Sequence, residues 1–542
     1  MIAVPAVRGT VLRAGLPPPP PPPPPPFRFS ADTDDSSLVP VANPPPTVPA
    51  PSPPQPPIAD LDTISTATSR PRFVGDLNPE SVFLTSAAPQ QRDLTECGVW
   101  SSQTPETPPP HRAFTQNIPR AYLAYLDSIG AFSLPTPQSR EGLISIFFAS
   151  VNSLLPFVHE STFRAQHADS TVSVPLLHAV LLVAARHPAS AKHLPPGASA
   201  RSFAATTADK VAALLHIGIE RDRVTLTRIH ALLALHSEGP GGNEAASLQL
   251  STAIHHAYSL GLHLHRAVIN REEQELWWVL WMLDSLQASL CGRPVGVRRE
   301  DVSVPTPVSA GTWFDASLRI TDMLADVIAL YRPGNISAEW ESEWTPLSSL
   351  VPETAEGEVA DTLRLFYHAV SILSHRSPDT PTPSPSYLRR LESAQAILRL
   401  FAARKQWPPF PVVPYAMSLA LTTFYSILRR GEGAARESFV SACEILEALG
   451  TYWWFAGAMA KMGRGGLERL QVKEAAGALR DLGGGGGEAR RESAGEQGDD
   501  GIEAWFLQFF PDLAAPVGWV GVGDGWDAGG GGGGQTGGQG AV

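Results

Sequence analysis

The sequence predicts an all-α protein: one large multi-helix domain between a proline-rich start and a glycine-rich tail. Three observations carry that reading. From about residue 118 to 470, apolar residues recur at helical spacing. No stretch alternates apolar and polar residues between hairpin turns. The 53 prolines and 46 glycines crowd the two ends, so the folding part is shorter than the 542-residue chain.

Taken in order, residues 1–70 are low complexity, with an unbroken proline run from Pro17 to Pro26. Such a segment builds no hydrogen-bonded ladder and is expected to be polyproline II or disordered. Residues 71–117 read as a linker holding one short motif, "PRFVGDLNPESVFL". In "IPRAYLAYLDSIGAF", Pro119 suits a first helical turn and Gly130 a stop, with Tyr122, Leu123, Leu126 and Ile129 on one face. "SREGLISIFFASVNSLLP" is the next helix, and His159 beyond it reads as a loop or cap residue. "SVPLLHAVLLVAARH" is apolar on nearly all sides and should be buried. Two later helices flank "GPGG" and should form an antiparallel hairpin. Further helical patterns cover about 311–332, 356–375, 385–404, 413–430, 434–449 and 451–470. The tail, 471–542, is glycine-rich around a short aromatic segment at 502–515, read as a helix docking on the core, with an exposed interaction segment as the alternative.

Bulk properties narrow the chemistry. A net charge of -12 supplies no global basic field for nucleic acid or an anionic membrane. Cys97, Cys291 and Cys443 are too few and too scattered for a disulfide framework or a thiolate zinc site. No run approaches the length of a transmembrane helix. No nucleophile elbow, zinc-protease helix or phosphate-binding loop occurs, so no enzyme is expected and no catalytic residue is assigned. His255, His256, His263 and His265 do not converge at helical spacing, so no metal ligands are assigned.

The most informative stretch is "REEQELWWVLWMLDSLQASLCGRP". Asn270 is a good N-cap, with Glu273 as capping-box partner, and Gly292 can reverse the chain at the other end. The tryptophans read as wedges between neighbouring helices. Asp284 then needs a partner, because a lone buried carboxylate is costly. The expectation is a bridge to Arg293 across the Gly292 turn. Arg271 or a residue of another helix is the competing partner.

These residues resemble the signature of the fungal-specific transcription factor domain, the middle homology region of zinc binuclear-cluster regulators. The matching positions are Arg271, Trp277, Trp278, Asp284, Gly292, Arg293, Pro294, Asp301, Val304 and Pro307. "YLAYLDSIGAFSLP", "LISIFFASVNSLLPFVHESTF" and "AIHHAYSLGLHLHR" resemble further blocks of the family, with Val151-Asn152-Ser153 a departure. "RFVGDLNPESVFL" and "TYWWFAGAMAKMG" are similar to the branch with the cutinase transcription factor beta proteins. The signature core covers 139–307 and the all-α regulatory domain 118–470.

The resemblance implies a nuclear transcription regulator that senses an effector and controls RNA polymerase II genes. It implies coregulators, a small-molecule effector and a homodimer as partners, although no heptad run long enough to support the dimer occurs; no membrane partner is expected from the hydropathy. It also implies a zinc cluster that binds DNA. That cluster needs six closely spaced cysteines, and only Cys97 precedes residue 290. No cofactor is therefore expected in this chain, zinc only in a missing N-terminal cluster, and DNA contact only through that module. A start downstream of the true one is the expected reason. The alternative is a helical scaffold or dimerisation partner that modulates full-length regulators without touching DNA.

Overall fold

A computed structural model describes residues 118–483, apart from 267–269, 308–310, 331–343, 376–384 and 432. The proline-rich start, the motif at 71–84, Tyr331 and the aromatic segment at 502–515 lie outside the described residues. Every regular element among the described residues is helical, so the all-α expectation holds.

Helix α1, Arg120–Ser128, follows Pro119 and ends before Gly130, whose φ of 60° lets the chain turn. Of its expected inner face only Leu126 is fully buried, while Tyr122 and Tyr125 face solvent. Helix α2, Pro137–Ile146, is capped by the Thr136 hydroxyl. It runs on into a π-turn, Phe147–Asn152. Asn152 then closes the loop to α3, Glu160–Ala168: its side chain bonds both the N–H and the carbonyl of Val158, at 3.2 and 2.9 Å. His159 takes the N-cap position of α3.

Helix α4, Val174–Ala184, is buried along its length from Pro175 onward, as its unbroken apolar sequence requires. It packs on α5, Ala200–His216, and on α6, Arg223–Leu233. Between α4 and α5 a short 3-10 turn, Pro188–His193, lies against α2. The His193 ring there occupies the space where a side chain on Gly142 would stand. Helix α7, Gly242–Ser259, folds back on α6 through the glycine loop as an antiparallel pair.

Helix α8, Arg271–Cys291, packs on α6, α7 and α9, Trp313–Leu330. Helices α10, Glu358–Leu373, α11, Pro385–Ala403, and α12, Val412–Arg429, pack on one another, and α10 also meets α9. Helix α13, Arg436–Leu449, and α14, Trp454–Gly483, close the order as a hairpin over α12. Helix α14 runs past residue 470 to Gly483. It lies close to its neighbours because Gly463 faces Cys443 and Leu421, and Gly466 faces the Tyr425 ring. One continuous apolar core joins the helices from α2 to α14.

Candidate functional site

Helix α8 is the best-buried long element around the signature residues. Trp277, Trp278 and Trp281 are 0%, 2% and 4% exposed. Its N-terminus is capped by the Asn270 side chain, which accepts from the Glu272 amide at 3.0 Å. Glu273 pairs with Arg266 at 3.3 Å rather than serving the expected capping box. At the other end Gly292 adopts φ 62°, ψ 28°, and its N–H returns to the Ala288 carbonyl.

The chain then turns back along α8 as a strap, residues 292–307, and Asp284 holds it. The carboxylate accepts the Gly296 N–H at 3.1 Å and the Val297 N–H at 2.8 Å, one on each oxygen. The expected Asp284–Arg293 bridge is therefore corrected: backbone amides, not a guanidinium, satisfy the buried carboxylate. Arg271 is no partner either. It lies 69% exposed at the helix start and pairs with Glu275 at 2.9 Å. Burial pushes the Asp284 carboxyl above the ordinary carboxylate range, against the opposing pull of the two amides. Gly296 is small because its backbone passes over the carboxylate. A Cβ there would stand 3.2 Å from an Asp284 oxygen.

The far half of the strap is pinned as firmly. Pro305 offers its carbonyl to the Trp278 indole N–H at 2.9 Å and to the Gln274 amide at 2.8 Å. Ser303 and Val304 donate their N–H groups to the His263 carbonyl, at 2.9 and 3.0 Å. Arg299 lies over both the Trp278 and Trp281 rings, 5.0 Å from each centroid, and pairs with Asp322 of α9 at 3.0 Å. Beneath, Trp277 meets Tyr258 and His263 ring to ring, at 5.4 and 5.6 Å.

The signature positions thus fall into a helix and the strap it binds. Trp277, Trp278 and Asp284 lie on the buried body of α8, and Gly292 makes the reversal. Arg293 is half-buried, Pro294 and Asp301 are exposed, and Val304 and Pro307 are buried. Sequence reasoning missed Arg299, Gln274, Gly296 and Val297. Only Gly296 carried a signal, a glycine at a turn beside a buried acid. A shallow open cleft lies beside the strap, lined by Leu262, Leu264, Arg266, Asn270, Glu273, Gln274 and Val304.

The described residues do not fit a zinc cluster. Cys291 and Cys443 are each buried on separate helices, and among the described residues no three metal-ligating side chains gather. The arrangement orders a helix and a strap, and no chemical step is assigned to it. Among the described residues, no helix is long and apolar enough to cross a membrane.

Residues 144–326 match the family model of the fungal specific transcription factor domain. The segment runs from the end of α2 to α9 and contains α8 and its strap. The acetamidase regulatory protein of Aspergillus fumigatus is 27% identical over 206 residues, covering 35% of this chain and 26% of that protein. Transcription factor FBD3 of Gibberella moniliformis is 22% identical over 264 residues, covering 43% and 34%. Cutinase transcription factor 1 beta of Fusarium vanettenii is 24% identical over 209 residues, covering 36% and 24%. The matches therefore span a quarter to a third of these relatives' lengths.

Proposed function

Because residues 144–326 of this chain are a fungal specific transcription factor domain, we infer that the protein is a transcription regulator whose helical body is its regulatory part. The observation that carries the reading is the family match itself, laid over α8 and its strap. Each of the three relatives is named as a transcription factor or a regulatory protein.

In this reading the protein acts in the nucleus on RNA polymerase II genes and meets coregulators there. Its helical body senses a small-molecule effector by a shift of conformational population. Binding can move such an equilibrium only as far as its preference for one state. The strap is the obvious transmitter, because α8, α9 and the α7–α8 loop all touch it through polar contacts.

The test is RNA profiling of fungal cells lacking the protein, then complemented with it. A discrete set of transcripts should change on loss and return on complementation. Unchanged transcripts across growth conditions would overturn the reading.

A further inference from the structure

A second polar cluster lies away from the strap, at the end of α4. Arg186 carries one of the largest fully buried side chains of the described chain, its side chain 1% exposed. Its Nη2 meets the His236 ring at 2.9 Å, the Ser237 carbonyl at 3.2 Å and Glu238 at 3.5 Å. Its guanidinium lies 4.7 Å from the Trp453 ring centroid, in the turn between α13 and α14. Arg201 of α5 binds the same Glu238 carboxylate and reaches the Gly450 carbonyl at 3.5 Å.

The charges do not balance. Two guanidinium groups share one carboxylate, so the cluster keeps a net positive charge that runs from the buried Arg186 out to the partly exposed Arg201. His236 does not change that sign. Burial and the neighbouring arginine hold its pKa down to about 3, so it is neutral near pH 7. Burial, partly offset by Glu238, likewise lowers Arg186 to about 10. Among the described residues, Nε and Nη1 of Arg186 meet no acceptor, and Oε2 of Glu238, 3.5 Å from Nη2, accepts no hydrogen bond. Unmet donors in a buried guanidinium are expensive, and an anion satisfies both the charge and the donors.

We propose that the Arg186–Arg201 pair is a binding site for a compact oxyanion, the carboxylate or phosphate group of a small effector. This deepens the regulatory reading above and rests on it. Arg201, 34% exposed at its side chain, is the way in from solvent. Trp453 covers Arg186 from the α13–α14 turn, so an anion reaches the buried donors as that turn lifts. Binding then couples the site to the terminal hairpin, which lies outside the family-matched segment. The guanidinium fork favours planar oxyanions over halide.

The test uses the purified full chain. Its thermal midpoint is measured in low-millimolar sodium acetate, sodium phosphate or sodium chloride at equal ionic strength. An oxyanion that binds the folded state should raise the midpoint by ~2–4 °C over chloride. A shift with acetate alone marks a carboxylate effector, with phosphate alone a phosphorylated one, and with both the shared oxyanion chemistry. The shift should vanish in Arg186→Met and in Arg201→Met. If Arg186→Met fails to fold, the less buried Arg201→Met decides. No shift over chloride in the wild type overturns the proposal, as does a shift that survives in a folded variant. The melts are independent of transcription. A missing shift with responsive transcripts sinks the site alone, and a clean shift with unresponsive transcripts sinks the regulatory reading alone.

Discussion

At the scale of single residues, Asp284 shows how a buried charge is kept without a counter-charge. Two amide N–H groups supply what a guanidinium was expected to supply. Removing the carboxylate leaves the buried Val297 N–H of the strap without its acceptor and the Gly296 N–H to solvent. Asp284→Ala is expected to lower unfolding stability by about 1–3 kcal/mol in urea titrations, the cost of orphaning the buried Val297 donor, while the exposed Gly296 can turn its N–H to water. Arg271→Ala is the contrast. Arg271 is 69% exposed and reaches a half-buried Glu275 four residues on, so a change under about 0.5 kcal/mol is expected by the same titration. The two residues belong to one sequence signature, but a loss for Arg271→Ala matching that for Asp284→Ala would contradict this assignment of weight. The carboxylate's need for a partner was legible in the sequence. Its identity was not, because backbone amides twelve and thirteen residues on leave no side-chain signature.

Among the elements, period and punctuation carried most of the reading. The patterns at 385–404 and 413–430 became Pro385–Ala403 and Val412–Arg429, and Gly292 ended α8 in the left-handed region. Period fixes a face but not what covers it. Tyr122 shares the apolar face of α1 with Leu126, and yet among the described residues it is 53% exposed. Arg186 and His187 gave no warning of burial, since nothing in "AARHP" distinguishes a core junction from a solvated helix end. Helix α14 allows a paired test of close packing. A methyl on Gly463 would stand 2.8 Å from the Cys443 sulfur, whereas one on Gly465 meets nothing within 4 Å. Gly463→Ala is expected to destabilise by about 1–3 kcal/mol through overpacking, and Gly465→Ala to stabilise by about 0.5–1 kcal/mol. Calorimetry of both variants checks the sign, and equal effects would refute the packing of α14 on α12 and α13.

For the whole molecule, buried histidines set the acid limit. Burial holds His178 and His368 at about 4 and His236 at about 3, all below the ordinary 6.5. The unfolded chain then binds protons that the folded one refuses. Their contribution is fully present above 6.5 and is lost as pH falls toward 4. Each fully differentiated histidine adds a slope of about 1.4 kcal/mol per pH unit. Denaturant titrations from pH 7 to 4 should show stability falling steeply below about pH 6. His178→Gln, which keeps a donor for the Ala131 carbonyl, should flatten that fall. A stability unchanged over this range would mean that these rings are solvated.

The central claim is that this helical body regulates transcription, and a tethered reporter tests it most directly. The chain is fused to an unrelated DNA-binding module in fungal cells, and reporter RNA is measured beside the module alone. The expected result is a severalfold change in reporter RNA, up or down, that Asp284→Ala abolishes. Reporter RNA equal to that of the module alone, with the fusion present in the nucleus, would contradict the claim.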